Sequence, residues 1–153
     1  MKLTLLLFIL LPILTFGQNK KHTYFSDYQF DKTFNGSKVE GHKKVSITFS
    51  DPKLITPKNA EFENLPRGYV TFKFEGLNPV TETIVFIGKN GDGNDIYAIT
   101  NSNVDLDVIY LVKTVEKIGS KNYSYIILWG KADSNNQGGL PKYFTAFHCN
   151  LIK

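Results

Sequence analysis

Val104-Asp105-Leu106-Asp107-Val108-Ile109-Tyr110-Leu111-Val112-Lys113-Thr114-Val115, followed after Glu116-Lys117 by Ile118-Gly119-Ser120-Lys121-Asn122 and then by Tyr123-Ser124-Tyr125-Ile126-Ile127-Leu128-Trp129-Gly130, decides the fold. Branched residues crowd the first segment (Val104, Val108, Ile109, Val112, Thr114, Val115), and side chains stiff at χ1 favour a strand over a helix. Gly119-Ser120 supplies the turn of a hairpin into the second segment. Both arms are apolar on both faces. Ile109, Leu111 and Val115 oppose Val108, Tyr110 and Val112; Tyr125, Ile127 and Trp129 oppose Ile126 and Leu128. One face enters a core, so something else must cover the other. The sequence offers a single helical turn at Asn59 to Leu65, the polar loop Ala132 to Pro141, a partner chain or a ligand.

Outward from this hairpin the alternation recurs at short intervals. Tyr24, Ser26, Tyr28 and Phe30 fall on one face of a first strand; Val45, Ile47 and Phe49 alternate with polar residues in a second. After a short Leu54-Ile55 element, Val70, Phe72 and Phe74 oppose Thr71, Lys73 and Glu75, and a strand runs from Glu82 to Ile87. Asn90-Gly91-Asp92-Gly93 pairs two turn dipeptides, making Asp95 to Thr100 the returning strand. Asn101-Ser102-Asn103 turns the chain into the central hairpin, and Lys142 to Ile152 is the last strand. About eight antiparallel strands on short connections predict an all-β domain, a small meander β-barrel, with a two-sheet β-sandwich as the alternative. Closure is favoured because it removes unpaired edges.

The first 17 of the 153 residues belong to a different object. Met1-Lys2, an apolar run from Leu3 to Leu14 and Thr15-Phe16-Gly17 make a secretory signal peptide with cleavage after Gly17, too short to span a bilayer and followed by no second apolar run. The expected mature protein is one all-β domain over residues 18–153, exported to the periplasm or the medium, with no transmembrane segment. Losing the signal leaves 136 residues and a charge of +3 in place of +4, since Lys2 goes and no acid does. Of the 52 apolar residues that remain, 19 are aromatic and 20 are Val or Ile, against 4 Ala, which is the composition of a pleated, half-buried surface.

Charge and cysteine exclude several classes. The ends are basic and the middle acidic, but Arg67 is the sole arginine, and the bidentate fork that reads phosphates and guanine edges is an arginine property; no nucleic acid is expected. Cys149, the single cysteine, alternates with Phe147 and Leu151 and reads as a buried thiol. Gly-x-Ser-x-Gly, His-Glu-x-x-His and phosphate-cradling glycine loops are missing. Carboxylate pairs such as Asp105 with Asp107, or Glu61 with Glu63, sit at the starts of elements and read as solvated charge. His22, His42 and His148 are too scattered for a zinc motif, and His148 and Cys149 point to opposite faces of their strand. The sequons Asn35-Gly36-Ser37 and Asn122-Tyr123-Ser124 lie at turns.

Asn90-Gly91-Asp92-Gly93-Asn94-Asp95-Ile96-Tyr97-Ala98 resembles one unit of the calcium-binding nonapeptide repeat of RTX toxins and proteases, in which Asp95 would be a ligand. That repeat binds calcium between stacked turns, and this copy is single. As an EF-hand loop it has Asp95 where glycine is required and Asn101 where a glutamate should be. We therefore read it as a hairpin turn, with Asp92 and Asp95 the nearest approach to metal ligands and no cofactor expected.

Aromatic side chains are the remaining signal. Tyr110, Tyr125 and Trp129 are the ligand-contact candidates, for a non-enzymatic exported domain that binds a small apolar ligand or a surface component. A lipocalin would carry a tryptophan near its first barrel strand, whereas Trp129 is in the penultimate one. An envelope or extracellular protein-interaction role is the alternative reading, and a hydrolase with dispersed residues ranks third.

Overall fold

A computed structural model describes residues 21–33, 36–53 (51–53 by backbone alone), 67–100, 107–131, 141 and 143–152. The segment 1–17 read as a signal peptide, the elements expected at Leu54-Ile55 and Asn59 to Leu65, the turn expected at 101–103, the expected start of the long strand at Val104, the sequon residue Asn35, and residues 132–140 of the expected polar loop lie outside these.

The described residues form nine strands: β1 (Lys21–Lys32), β2 (Lys38–Gly41), β3 (Val45–Lys53), β4 (Arg67–Phe74), β5 (Val80–Lys89), β6 (Asp95–Ile99), β7 (Asp107–Ile118), β8 (Lys121–Lys131) and β9 (Phe144–Leu151). From β3 to β9 each strand pairs antiparallel with the next, β1 pairs with β3, and the pairing of β1 with β9 closes the sheet. The result is a closed eight-stranded antiparallel barrel with one extra strand, not two facing sheets. Closure satisfies the backbone groups that a sandwich would leave at its edges.

The extra strand, β2, went unread in the sequence, and the register explains it. Gln29 to Lys32 pair with Gly41 to Lys38, while Lys21 to Ser26 pair with Ser50 to Val45; the opposite edge of β1 is taken by β9. β2 and β3 thus lie end to end along one edge of β1, interrupted at His42 to Lys44. Val39 is the sole apolar residue of β2, so hydrophobic alternation had nothing to mark.

One face assignment is corrected. Tyr24 and Ser26 point inward, but Tyr28 and Phe30 do not join them, because the register of β1 against β9 shifts between Ser26 and Tyr28. Asp27 is the additional residue of this bulge, and a one-residue shift moves every later side chain to the other face. Gln29 and Asp31 become the inward residues; Tyr28 and Phe30 meet the ring of His148 on the outside, at 5.1 and 5.6 Å.

Side chains fill most of the interior. Val45, Ile47, Phe49, Val70, Phe72, Ile84, Ile109, Ile127 and Phe147 form its centre, with Cys149 fully buried among them. Phe72 stacks on Trp129 at 4.7 Å between centroids and meets Phe147 at 5.7 Å. An eight-stranded barrel has an interior about wide enough for side chains to fill, and bulky aromatics complete it here.

A second apolar cluster lies on the outer face of β6 to β9: Ile96, Val108, Tyr110, Leu128 and Ala146, flanked by Phe30, Val112, Ile126 and Phe144. Register places Ile96, Tyr110, Leu128, Ala146 and Phe30 in one row across five strands. This is the second face that the central hairpin required to be covered. Buried Pro141 shows part of the cover: its Cβ lies 2.9 Å from where a Cβ on Gly130 would stand, so the chain entering β9 presses on the outside of β8. Among the described residues no helix is long and apolar enough to cross a membrane.

Candidate functional site

The four adjacent strands β7, β8, β9 and β1 frame a cleft of about 480 Å³ at one mouth of the barrel. Its geometry follows from register. Trp129 pairs with Thr145 and Thr145 with Asp31, so an indole, a hydroxyl and a carboxylate fall in one inward row. Asp107 pairs with Lys131 at the next inward row toward the rim. Phe144 and Lys32 pair with each other beside them, and Tyr143 completes the wall.

Each polar group here is held. Thr145 Oγ1 donates to Asp31 Oδ1 at 2.6 Å. Lys131 Nζ donates to Asp107 Oδ1 at 3.2 Å, across a pair of half-exposed side chains. The ammonium of Lys32 stands 5.9 Å from the centre of the Phe144 ring, within cation–π range. Trp129 forms the floor, its plane fixed by the buried Phe72 behind it. Such an arrangement presents an aromatic surface with fixed acceptors and donors around it. That is the usual character of a binding site, an apolar body with a few placed polar groups.

Gly130 is needed to build this wall. A Cβ there would come within 2.5 Å of the Tyr143 carbonyl oxygen and 2.8 Å of Phe144 Cβ, so only glycine lets the chain pass so close.

The three aromatic candidates occupy three places. Trp129 lines the mouth cleft. Tyr125, on the same inward face of β8, lies deeper, edge-on to Tyr24 at 5.1 Å between centroids. Tyr110 belongs to the outer cluster and is only 6% exposed, and burial pushes its hydroxyl pKa up. A smaller cavity of about 60 Å³, bordered by Tyr24, Phe49, Phe86 and Tyr97, lies inside the other half of the barrel. It has room for little more than a few waters, far below the ~300 Å³ at which small-molecule sites begin.

The glycine-rich string is a side-chain-capped hairpin. Asn90 Oδ1 accepts from the backbone N–H groups of Asp92 and Asn94, both at 3.0 Å, and Gly93 takes a positive φ of 81°. Asp95 is engaged by the ammonium of Lys89. Asp92 stays on the exposed turn. No group of three or more potential metal ligands converges among the described residues.

His148 faces outward and is nevertheless buried, ringed by Tyr28, Phe30 and Tyr123. Its Nε2 lies 3.1 Å from Glu116 Oε2, while Nδ1 has no hydrogen-bond partner among the described residues. Burial lowers its pKa, with Glu116 acting in the opposite direction. Nearby, the Asp27 carboxyl is held below its usual value, first by the hydrogen bond from Lys121 and then by that from the Tyr123 hydroxyl at 2.8 Å. Burial, with the hydrogen bond to Asp27, pushes that hydroxyl up to about 12.

Sequence reasoning missed Asp31, Thr145, Lys131, Tyr143 and Phe144. Asp31 and Thr145 are 114 positions apart and meet only because the first and last strands close the barrel. The Asp107 and Lys131 pair was not legible either: counting outward from Gly119-Ser120 sets Asp107 opposite position 132, and the register shift between Lys113 and Glu116 moves it to Lys131. Comparison with protein-family models, curated proteins and solved structures finds no match to this chain.

Proposed function

We propose that the protein is a non-enzymatic, exported binding domain that holds a small ligand at the barrel mouth rather than in the barrel interior. The observation that carries this reading is the position of Trp129, the one tryptophan of the chain, at the floor of a cleft of about 480 Å³ over a core packed with side chains. Asp31 and Asp107 are held by Thr145 and Lys131, which suits fixed hydrogen-bonding groups of a receptor. The alternative, a protein contact at apolar outer faces near Tyr110 and Trp129, loses support because Tyr110 is buried within the chain and Trp129 lies on the inward row. Export rests on the signal-like residues 1–17.

Native mass spectrometry of protein purified from its own source tests the proposal. A bound mass of a few hundred daltons that is lost in Trp129→Ala supports it. A bare chain, or a bound mass indifferent to Trp129→Ala, overturns it.

A further inference from the structure

Building on the mouth as a ligand site, we infer that the ligand class is a neutral saccharide, stacked on Trp129 and hydrogen-bonded by Asp31, Thr145, Asp107 and Lys131. The inference rests on that reading, and four observations narrow the chemistry.

First, the cleft is wide and shallow because the barrel beneath it is full. Phe72, Ile109 and Phe147 occupy the space into which an acyl chain would have to descend. A long apolar ligand has nowhere to go.

Second, the charges at the mouth cancel. Asp31 and Asp107 line the cleft together with Lys131, bonded to Asp107, and Lys32, whose ammonium stands over the Phe144 ring: two carboxylates and two ammonium groups. A fatty acid or phosphate would meet both carboxylates, and an organic cation would meet both lysines. Neither sign is favoured, so an uncharged ligand fits best.

Third, the polar groups both accept and donate within a short span. Two carboxylates accept and two ammonium groups donate, while the hydroxyls of Thr145 and Thr33, whose protons go to Asp31 and to the Ser37 carbonyl, keep acceptor capacity. Vicinal sugar hydroxyls also donate and accept together, so each can bridge a carboxylate and an ammonium. Carboxylate acceptors make the stronger, charge-assisted bonds.

Fourth, an aromatic floor stands beside these groups. The π face of an indole is negative and attracts the weakly positive C–H hydrogens on one side of a pyranose ring. Phe72 fixes the plane of Trp129 at an interplanar angle of 24°, so the platform is rigid before a ligand arrives, which reduces the ordering cost of binding.

The single tryptophan makes the test direct, since emission of the intact protein reports on the mouth. Neutral oligosaccharides built from glucose, mannose, xylose and N-acetylglucosamine are titrated in parallel with laurate and with a uronic-acid oligosaccharide, and hits are repeated by calorimetry. The expected result is that a neutral series shifts the emission, and that Asp31→Asn and Trp129→Phe each weaken its binding by about tenfold or more. Asp31 is exposed, so its variant reads the site even if Trp129→Phe compromises folding. A response to laurate or to the uronic acid without one to the neutral sugars overturns the saccharide inference and leaves the mouth as the site. No response to any of them, with the native bound mass unaffected by Trp129→Ala, removes both.

Discussion

Replacing Gly130 by alanine adds one methyl group to the outer face of β8, and the structure says what it meets. The new Cβ would lie 2.5 Å from the Tyr143 carbonyl oxygen, 2.8 Å from Phe144 Cβ and 2.9 Å from Pro141 Cβ, where ordinary contact begins at 3.4 Å. These are backbone or near-backbone atoms, so no side-chain rotation relieves them. The entry of β9 must move by nearly an ångström, and overpacking of this kind costs about 1–3 kcal/mol. Glycine to alanine on a permissive backbone would by itself stabilise by roughly 0.4–1 kcal/mol through the unfolded state, so the measured loss understates the clash. At about 3–6 °C per kcal/mol for a domain of this size, the midpoint of thermal unfolding by far-UV circular dichroism should fall by roughly 3–18 °C. Gly91→Ala is the matched control. It lies in a turn with nothing among the described residues within 4 Å of an added Cβ and no positive φ, and should leave the midpoint unchanged or slightly raised. Because Gly130 also lines the cleft, Gly130→Ala should shift the emission of Trp129 as well. A Gly130→Ala protein that melts within about 1 °C of the parent would refute the claim that the chain before β9 is clamped onto β8.

Phe72→Ala should cost about 3–5 kcal/mol in urea denaturation and red-shift Trp129, because a fully buried ring that backs the indole is removed. Stability should fall on acidification from about pH 6.5 downward. The neutral His148 is favoured by burial, so the unfolded chain binds the proton more readily than the folded one, and the contribution present above the unfolded pKa is lost as pH falls through the lower folded value. His148→Phe should flatten this part of the urea-midpoint profile, whereas Glu116→Gln, which removes the partner of the protonated ring, should steepen it. The Cys149 thiol, pushed up to about 12 by burial, should resist a disulfide exchange reagent at pH 8 in the native protein and react at once in denaturant. Rapid native-state labelling would contradict its place in the core.

How far the residues were readable varies with the range of the interaction. The β7–β8 hairpin was legible because its information is local: branched side chains, two-faced apolarity and a Gly-Ser turn. The faces of β1 were misread beyond Ser26 because a bulge at Asp27 leaves no mark in the alternation itself; Tyr28 and Phe30 keep the apolar pattern while pointing outward to meet His148. β2 was invisible because an exposed strand with Val39 as its one apolar residue carries no alternation. Of the mouth, Trp129 was singled out as an aromatic candidate, but its partners Asp31 and Thr145 were not, since nothing local connects residues 114 positions apart.

The sequence by itself determined that this is an all-β domain, where most strands run, and which residues alternate toward a core, because backbone sterics and period-two burial act over a few residues. Tertiary structure decided the rest. Pairing β1 with β9 closed the barrel, filled its interior with Phe72, Ile109 and Phe147, and sent Tyr110 and Trp129 to opposite faces of the wall. It also brought Asp31 to Thr145 and Asp107 to Lys131 around the one tryptophan. A site at a barrel mouth is assembled from strand ends, and which ends meet is set by closure and register, properties of the whole sheet that no single segment contains.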